Sequence, residues 1–217
     1  MTVSKFSFKK YQPLCLRLWH WSNFVVILAL LATVLIRKTF LSWRINSVLI
    51  EEKLGAAGIQ ITPGLAKEIA VAIRNPLWEW HIYLGYILSA LLLARVLIAL
   101  FIERQFPSVS AIKSALGIKR IPIQERGEAL HFAFVKIGYA VFYIVTMLMV
   151  VTGILMTFKT EIGLSSDFGG TIKSIHEFMM WFFVVFIAGH IIGIVIAENC
   201  KDQGIISDMI HGGKSED

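Results

Sequence analysis

Residues 175–197 read IHEFMMWFFVVFIAGHIIGIVIA, an apolar run of 23 residues that carries two histidines, His176 and His190. A helix needs about 20 mostly apolar residues to cross the hydrocarbon core of a bilayer. The run therefore predicts a membrane-spanning helix. Its histidines stand fourteen positions apart, which places their rings about 21 Å apart along the helix and within about 40° of the same face.

Three further stretches approach the same length, at residues 18–36, 77–101 and 132–158. None alternates apolar and polar residues as a transmembrane barrel strand does. Hydrophobic residues make up 56% of the 217-residue chain, and charged residues make up 17%. We therefore predict an all-α integral membrane protein, a four-helix bundle in which residues 1–217 form a single membrane domain.

Basic residues predict the orientation of the chain, because cytoplasmic connections are enriched in lysine and arginine. With a cytoplasmic N-terminus, thirteen of the 21 basic residues fall inside and eight fall outside. This bias favours both termini in the cytoplasm, an external loop at residues 37–76 and a cytoplasmic loop at residues 103–128. The formal charge of +6 is spread between the spans, so we expect no nucleic-acid partner.

The external loop contains two segments with helix-like apolar spacing, residues 45–54 and 65–73. Pro63-Gly64 between them is typical of a turn, so we expect two short helices that lie on the outer surface. The first span follows a basic lead-in, as the apolar part of a signal peptide would. Because no small-residue cleavage site ends it, we expect a membrane helix instead.

Four histidines lie within or at the edges of the spans, where ionisable residues are rare and are candidates for function. The topology sorts them by depth into an outer pair, His81 and His176, and an inner pair, His20 and His190. Two imidazoles on opposite faces of a planar iron cofactor are typical of low-spin haem b, whereas zinc needs three or four converging ligands. We predict two haem b groups; a proton relay and simple hydrogen bonding between helices are the alternatives.

Small and basic residues near these histidines fit the same interpretation. A glycine gives a haem room or allows close helix packing, and the candidates are Gly85, Gly189 and Gly193. Arginines at the inner boundary would meet haem propionates or extend to lipid headgroups, and the candidates are Arg17 and Arg95. His131 competes with His20 for the inner site. Three residues at the start of the third span are candidates for a quinone pocket, namely Glu128, His131 and Lys136.

Four motifs accompany the histidines: Arg17-Leu18-Trp19-His20-Trp21, His81-x-x-x-Gly85, Gly153-Ile154-Leu155-Met156 and Lys173-x-x-His176-Glu177. Arg95 follows His81 by fourteen positions, and His190 follows His176 by the same interval. Together these residues resemble the bacterial cytochrome b561 superfamily across all four spans. This superfamily includes the b-type subunits of membrane nickel–iron hydrogenases and formate dehydrogenases, and small superoxide-oxidising proteins. The resemblance implies the pairing that depth alone indicates, His20 with His190 and His81 with His176.

Iron ligated on both faces has no open position, so we expect electron transfer rather than substrate activation at the metal. Electrons would cross the cytoplasmic membrane of a bacterium between a redox partner and quinone. The resemblance implies a hydrogenase or dehydrogenase subunit as the partner. The long loop at 37–76 is the expected docking surface, and a homo-oligomer is a further expected partner. One rival is a stand-alone superoxide:quinone oxidoreductase, in which Lys173 would attract the anion. The other is a haem-free transporter or membrane anchor.

Overall fold

The computed structural model of the protein describes residues 12–103, 123, 126–200 and 203–213. It is 86% helical, and no described residue lies in a strand. Its helices in chain order are α1 (Leu14–Lys38), α2 (Trp43–Ala56), α3 (Pro63–Ile98), α4 (Arg126–Thr157), α5 (Ser166–Asn199) and α6 (Ile205–His211). A π-helical turn, Ala99–Glu103, follows α3. Among the described helices α1, α3, α4 and α5 are long and apolar enough to cross a membrane, which confirms the predicted all-α membrane class.

The chain divides into two compact units. Unit 1 comprises Met1–Ser22 and Ala90–Asp217, and unit 2 comprises Asn23–Ser89. Helices α4, α5 and α6 lie in unit 1 and α2 lies in unit 2, whereas α1 and α3 each contribute a segment to both. The single-domain organisation and the sidedness of the termini stay predictions.

Part of the predicted topology falls outside the described residues. The loop predicted at 103–128 lies largely there, and so do Lys5, Lys9 and Lys10 of the basic lead-in. These residues contribute to the predicted cytoplasmic excess of positive charge.

The second membrane helix begins earlier than the sequence predicts. Helix α3 runs from Pro63 to Ile98 and contains Pro76 in its interior. Proline often breaks a helix because it lacks an N–H and crowds the preceding turn, but Pro76 does not end α3. The prediction of a separate short helix at residues 65–73 is wrong, because these residues form the first part of α3. Membrane helices tolerate proline because neighbouring groups satisfy the freed carbonyl.

The Thr62-Pro63-Gly64 sequence starts α3. The backbone N–H of Leu65 donates to the Thr62 hydroxyl at 3.2 Å, which satisfies one of the N–H groups that a helix start leaves without a partner. Pro63 occupies the first helical position, where its missing N–H costs nothing. These residues therefore form a helix cap rather than a turn between two short helices.

Helix α2 confirms the first short helix predicted between the first two spans. It covers Trp43–Ala56, slightly more than the predicted 45–54. The Trp43 ring lies close to two cations, with the Arg44 guanidinium 4.9 Å and the Lys67 ammonium 4.8 Å from its centroid. Since Lys67 belongs to the first turns of α3, this cation–π contact ties α2 to α3 within unit 2.

Helices α4 and α5 pack against each other in unit 1. Their contact includes Phe142 of α4, whose ring lies 5.8 Å from that of Phe183 and 4.9 Å from that of Phe186. Phe183 is buried and stands midway between His176 and His190 along α5. An apolar aromatic layer therefore occupies the length of helix that separates the two histidines.

The C-terminal tail forms α6, a helix that the sequence reading did not predict. The Glu198 carboxylate accepts hydrogen bonds from the backbone N–H groups of Gly204 at 2.9 Å and Ile206 at 3.2 Å. A carboxylate is favourable at a helix N-terminus, where these donors have no intrahelical partner. At the other end Gly212 has φ of 104°, a left-handed conformation that glycine adopts without strain.

Candidate functional site

The inner pair, His20 of α1 and His190 of α5, comes together within unit 1. The two ring centroids are 6.2 Å apart, and the ring planes differ by 59°. A bond from a metal ion to an imidazole nitrogen is about 2.0 Å long, so two such bonds on opposite sides of one ion separate the nitrogens by about 4 Å. Each ring centroid lies farther from the ion than the coordinating nitrogen does, so the two centroids are more than about 4 Å apart. The observed separation therefore fits one iron ion between the two imidazoles.

Aromatic rings and small residues surround this pair. The Phe186 ring stacks on that of His190 with centroids 5.9 Å apart, and the Trp21 ring meets His20 edge-on at 5.6 Å. A Cβ added at Gly189 or Gly193 would meet no atom of the described chain within 4 Å. Close packing against another described helix therefore does not explain these two glycines.

Arg17 lies one turn before His20, on the same face of α1. Its guanidinium donates to the backbone carbonyl of Ile210, and Trp21 Nε1 donates to the carbonyl of Met209 at 3.2 Å. These contacts hold α6 against the start of α1. Arg17 Nε is buried and has no hydrogen-bond partner among the described residues, so an anionic propionate would satisfy it.

Arg95 lies buried in unit 1, with 6% of its surface exposed. Its Nε donates to the Tyr143 hydroxyl at 2.9 Å. Its guanidinium carbon lies 5.5 Å from the Trp19 ring centroid and 5.6 Å from that of Tyr143. Trp19 in turn donates from Nε1 to the carbonyl of Leu91 at 2.7 Å. The buried position of Arg95 disfavours the interpretation in which its side chain extends to lipid headgroups.

His81 lies on α3, within unit 2, and two groups position its ring. Thr33 Oγ1 of α1 is 2.7 Å from His81 Nδ1. Trp78, one turn earlier, stacks on the imidazole with centroids 4.7 Å apart and planes 2° apart, and the Arg37 guanidinium lies 4.5 Å from the Trp78 centroid. A Cβ added at Gly85, one turn after His81, would meet no described atom within 4 Å.

His176 lies on α5, within unit 1, and α4 positions its ring. Thr152 Oγ1 is 2.8 Å from His176 Nδ1. A Cβ added at Gly153 would lie 3.5 Å from His176 Cε1, so the glycine lies directly beside the imidazole. Because His81 and His176 belong to different units, their pairing around one cofactor stays a prediction.

The contact of Gly153 with His176 predicts a graded effect of side-chain size. Gly153→Ala should be tolerated, because 3.5 Å is an ordinary van der Waals distance. Gly153→Leu should displace the imidazole, because overpacking a tight contact costs about 1–3 kcal/mol. Quantitative haem analysis of the purified protein should show haem loss for leucine and none for alanine. Gly138→Leu on the same helix is the control, since an added Cβ there meets nothing within 4 Å; equal loss in that variant would refute the contact.

The three candidate residues for a quinone pocket lie in the first turns of α4. His131 is exposed, and the ring that faces His190 is that of His20. The Lys136 ammonium lies 5.2 Å from the Phe132 ring centroid and 5.7 Å from that of Tyr139. The side chain of Glu128 lies outside the described part of the chain. A quinone pocket at the start of α4 stays a prediction.

Lys173, which would attract superoxide in the stand-alone oxidoreductase, lies on α5 one turn before Glu177. Its ammonium is 3.8 Å from the Glu177 carboxylate, and both side chains are well exposed. A surface ion pair of this kind contributes little to stability, and the carboxylate opposes the attraction of an anion. The pairing favours the interpretation of Lys173 as a solvated surface residue.

Sequence analysis did not identify several groups that contact the candidate site residues. Thr33, Trp78 and Thr152 contact candidate histidines, and Tyr143 contacts Arg95. Hydroxyl groups within apolar spans are a usable signal, because polar groups in lipid need partners. Their partners, however, lie far away in sequence. Thr33 and His81 are 48 positions apart, and Thr152 and His176 are 24 apart.

The family described as prokaryotic cytochrome b561 matches residues 11–212, a range that includes all four candidate histidines and all four membrane-length helices. No curated protein and no solved structure matches the chain. Since the match covers nearly the entire chain, the protein belongs to the prokaryotic cytochrome b561 family, a family of membrane proteins that bind haem b.

Proposed function

We propose that the protein is a di-haem b cytochrome that transfers electrons across the membrane between a redox partner and the quinone pool. The observation that carries this proposal is the facing pair of His20 and His190, whose 6.2 Å ring separation fits one iron ion between them. A haem ligated on both faces supplies one-electron exchange, and its potential depends on the ligands and their surroundings.

His20 and His190 would ligate the inner haem. Their rings are already held by neighbours of the same unit, since Phe186 stacks on His190 and Trp21 contacts His20. Arg17 would donate to a propionate through its buried Nε. Arg95 would offer a second cation near the level of Trp19, the residue that directly precedes His20. Such charge-assisted bonds are stronger than neutral ones.

His81 and His176 would ligate the outer haem. The support is the fourteen-residue spacing on α5, which sets the two ligand levels about 21 Å apart along one helix. Further support is that both rings have a threonine at Nδ1, so Nε2 would be the nitrogen that binds iron. Metal-ligating histidines typically have such a partner on the other ring nitrogen.

A redox subunit of the nickel–iron hydrogenase type is the partner that the family suggests. The connection between the first two spans is the candidate docking surface. It carries large exposed apolar side chains at Phe40, Ile45 and Val48. Quinone would bind near the start of α4, where His131 is exposed.

The visible spectrum of the purified protein tests this proposal. We expect a Soret band, low-spin α-bands in the reduced form, and two haem b per chain by the pyridine haemochrome assay. A quinol should reduce haem under anaerobic conditions, because the inner haem is proposed to exchange electrons with quinone. A protein without a Soret band would refute the proposal. One haem per chain would refute its di-haem form, and rapid reduction by superoxide without any partner would favour the stand-alone oxidoreductase.

A further inference from the structure

Two buried threonines make the same pair of contacts in the two units. Thr33 Oγ1 lies 2.6 Å from the carbonyl oxygen of Leu30 on its own helix and 2.7 Å from His81 Nδ1. Thr152 Oγ1 lies 2.6 Å from the carbonyl oxygen of Leu148 and 2.8 Å from His176 Nδ1. Each threonine thus belongs to the membrane helix that precedes the helix of its histidine along the chain, and it joins that helix to the imidazole.

These contacts determine the direction of the threonine–histidine hydrogen bond. A hydroxyl has one hydrogen to donate and two lone pairs that accept. The short distance to the carbonyl shows that the hydrogen is directed there, since a carbonyl oxygen only accepts. The hydroxyl must therefore accept from the histidine, so Nδ1 carries the proton and Nε2 carries the lone pair.

We propose that Thr33 and Thr152 are positioning residues that hold His81 and His176 in the tautomer that ligates iron through Nε2. This inference rests on the proposed function, because it takes these histidines as the ligands of the outer haem. A hydrogen bond from Nδ1–H to an acceptor fixes the ring orientation and raises the basicity of the ligating nitrogen. A more basic ligand stabilises ferric iron relative to ferrous iron, so the two threonines lower the midpoint potential of the outer haem.

The inner pair has a different environment. Within the described part of the chain, neither His20 nor His190 has a threonine at its ring, and aromatic rings are their neighbours instead. The potential-lowering contribution is thus specific to the outer haem.

The test replaces each threonine by valine, which keeps the shape and removes the hydroxyl. Thr33→Val and Thr152→Val should each raise the midpoint potential of the outer haem in an anaerobic redox titration of the detergent-solubilised chain. They should also weaken haem retention by about 10- to 100-fold, measured as transfer of haem to apomyoglobin. Thr33→Ser and Thr152→Ser should restore both properties, because serine keeps the acceptor.

Thr146→Val is the matched control. Thr146 is buried on α4 and its hydroxyl bonds to the carbonyl of Phe142 at 2.7 Å, as Thr152 bonds to that of Leu148. Among the described residues no histidine lies at the Thr146 hydroxyl. Loss of this hydroxyl should therefore leave the midpoint potentials of both haems unchanged. An equal shift in Thr146→Val would overturn the proposal, as would valine variants with unchanged potential and haem retention.

The histidine variants separate failure of this inference from failure of the proposed function. The titration component that disappears in His176→Ala identifies the outer haem. If His81→Ala and His176→Ala retain both haems, the assignment of the ligands is wrong. If those variants lose the outer haem while the threonine variants behave as the native protein, the ligand assignment stands and the positioning role is wrong.

Discussion

Replacing His190 with alanine should leave the purified protein with one haem b instead of two. The ring of His190 faces that of His20 with 6.2 Å between centroids, a separation that leaves room for one iron ion and its two nitrogen bonds. Alanine removes one of the two proposed iron ligands, because its methyl group cannot bind a metal ion. Haem b per chain, measured by the pyridine haemochrome assay, should fall to about half of the native value.

His20→Ala should have the same effect as His190→Ala, because the two residues would ligate the same ion. The control is His131→Ala, which changes the competing histidine at the start of α4. Since His131 is exposed and His20 is the residue that faces His190, His131→Ala should keep both haems. If His131→Ala lost the inner haem and His20→Ala kept it, the ligand assignment of the inner site would be wrong.

The second large effect is expected for His176→Ala, which should remove the outer haem and keep the inner one. The two histidines of α5 are about 21 Å apart along the helix axis, and the aromatic layer of Phe142, Phe183 and Phe186 lies between their levels. The inner pair should therefore be unaffected by the loss of the outer ligand. His81→Ala should give the same spectrum, since the two residues are proposed to share one haem.

Loss of the outer haem should also abolish electron transfer across the membrane. In proteoliposomes, an impermeant reductant outside would reduce an acceptor trapped inside through the native protein, and the His176→Ala rate should fall to that of protein-free vesicles. Quinol reduction of the remaining haem should persist, because the quinone is proposed to react near the inner haem. Transmembrane transfer at the native rate in His176→Ala would contradict the two-haem route.

Much of the candidate site could be predicted from sequence, because its ligands are polar residues in an apolar background. His20 and His190 were paired by depth, and the structure brings them together. The boundaries were harder to predict. The predicted second span begins at residue 77, directly after Pro76, yet Pro76 lies inside α3, since a membrane helix can accommodate the loss of one hydrogen bond.

The sequence by itself determined the four membrane helices and the histidines that they carry, since hydropathy and helical spacing are properties of consecutive residues. Tertiary structure alone decided that His20 rather than His131 faces His190, and that Thr33 and Thr152 contact the other two histidines. The physical reason is helix rotation. A membrane helix that is apolar on all sides gives no sequence signal for the direction in which each face points, so contacts between distant residues are set by packing.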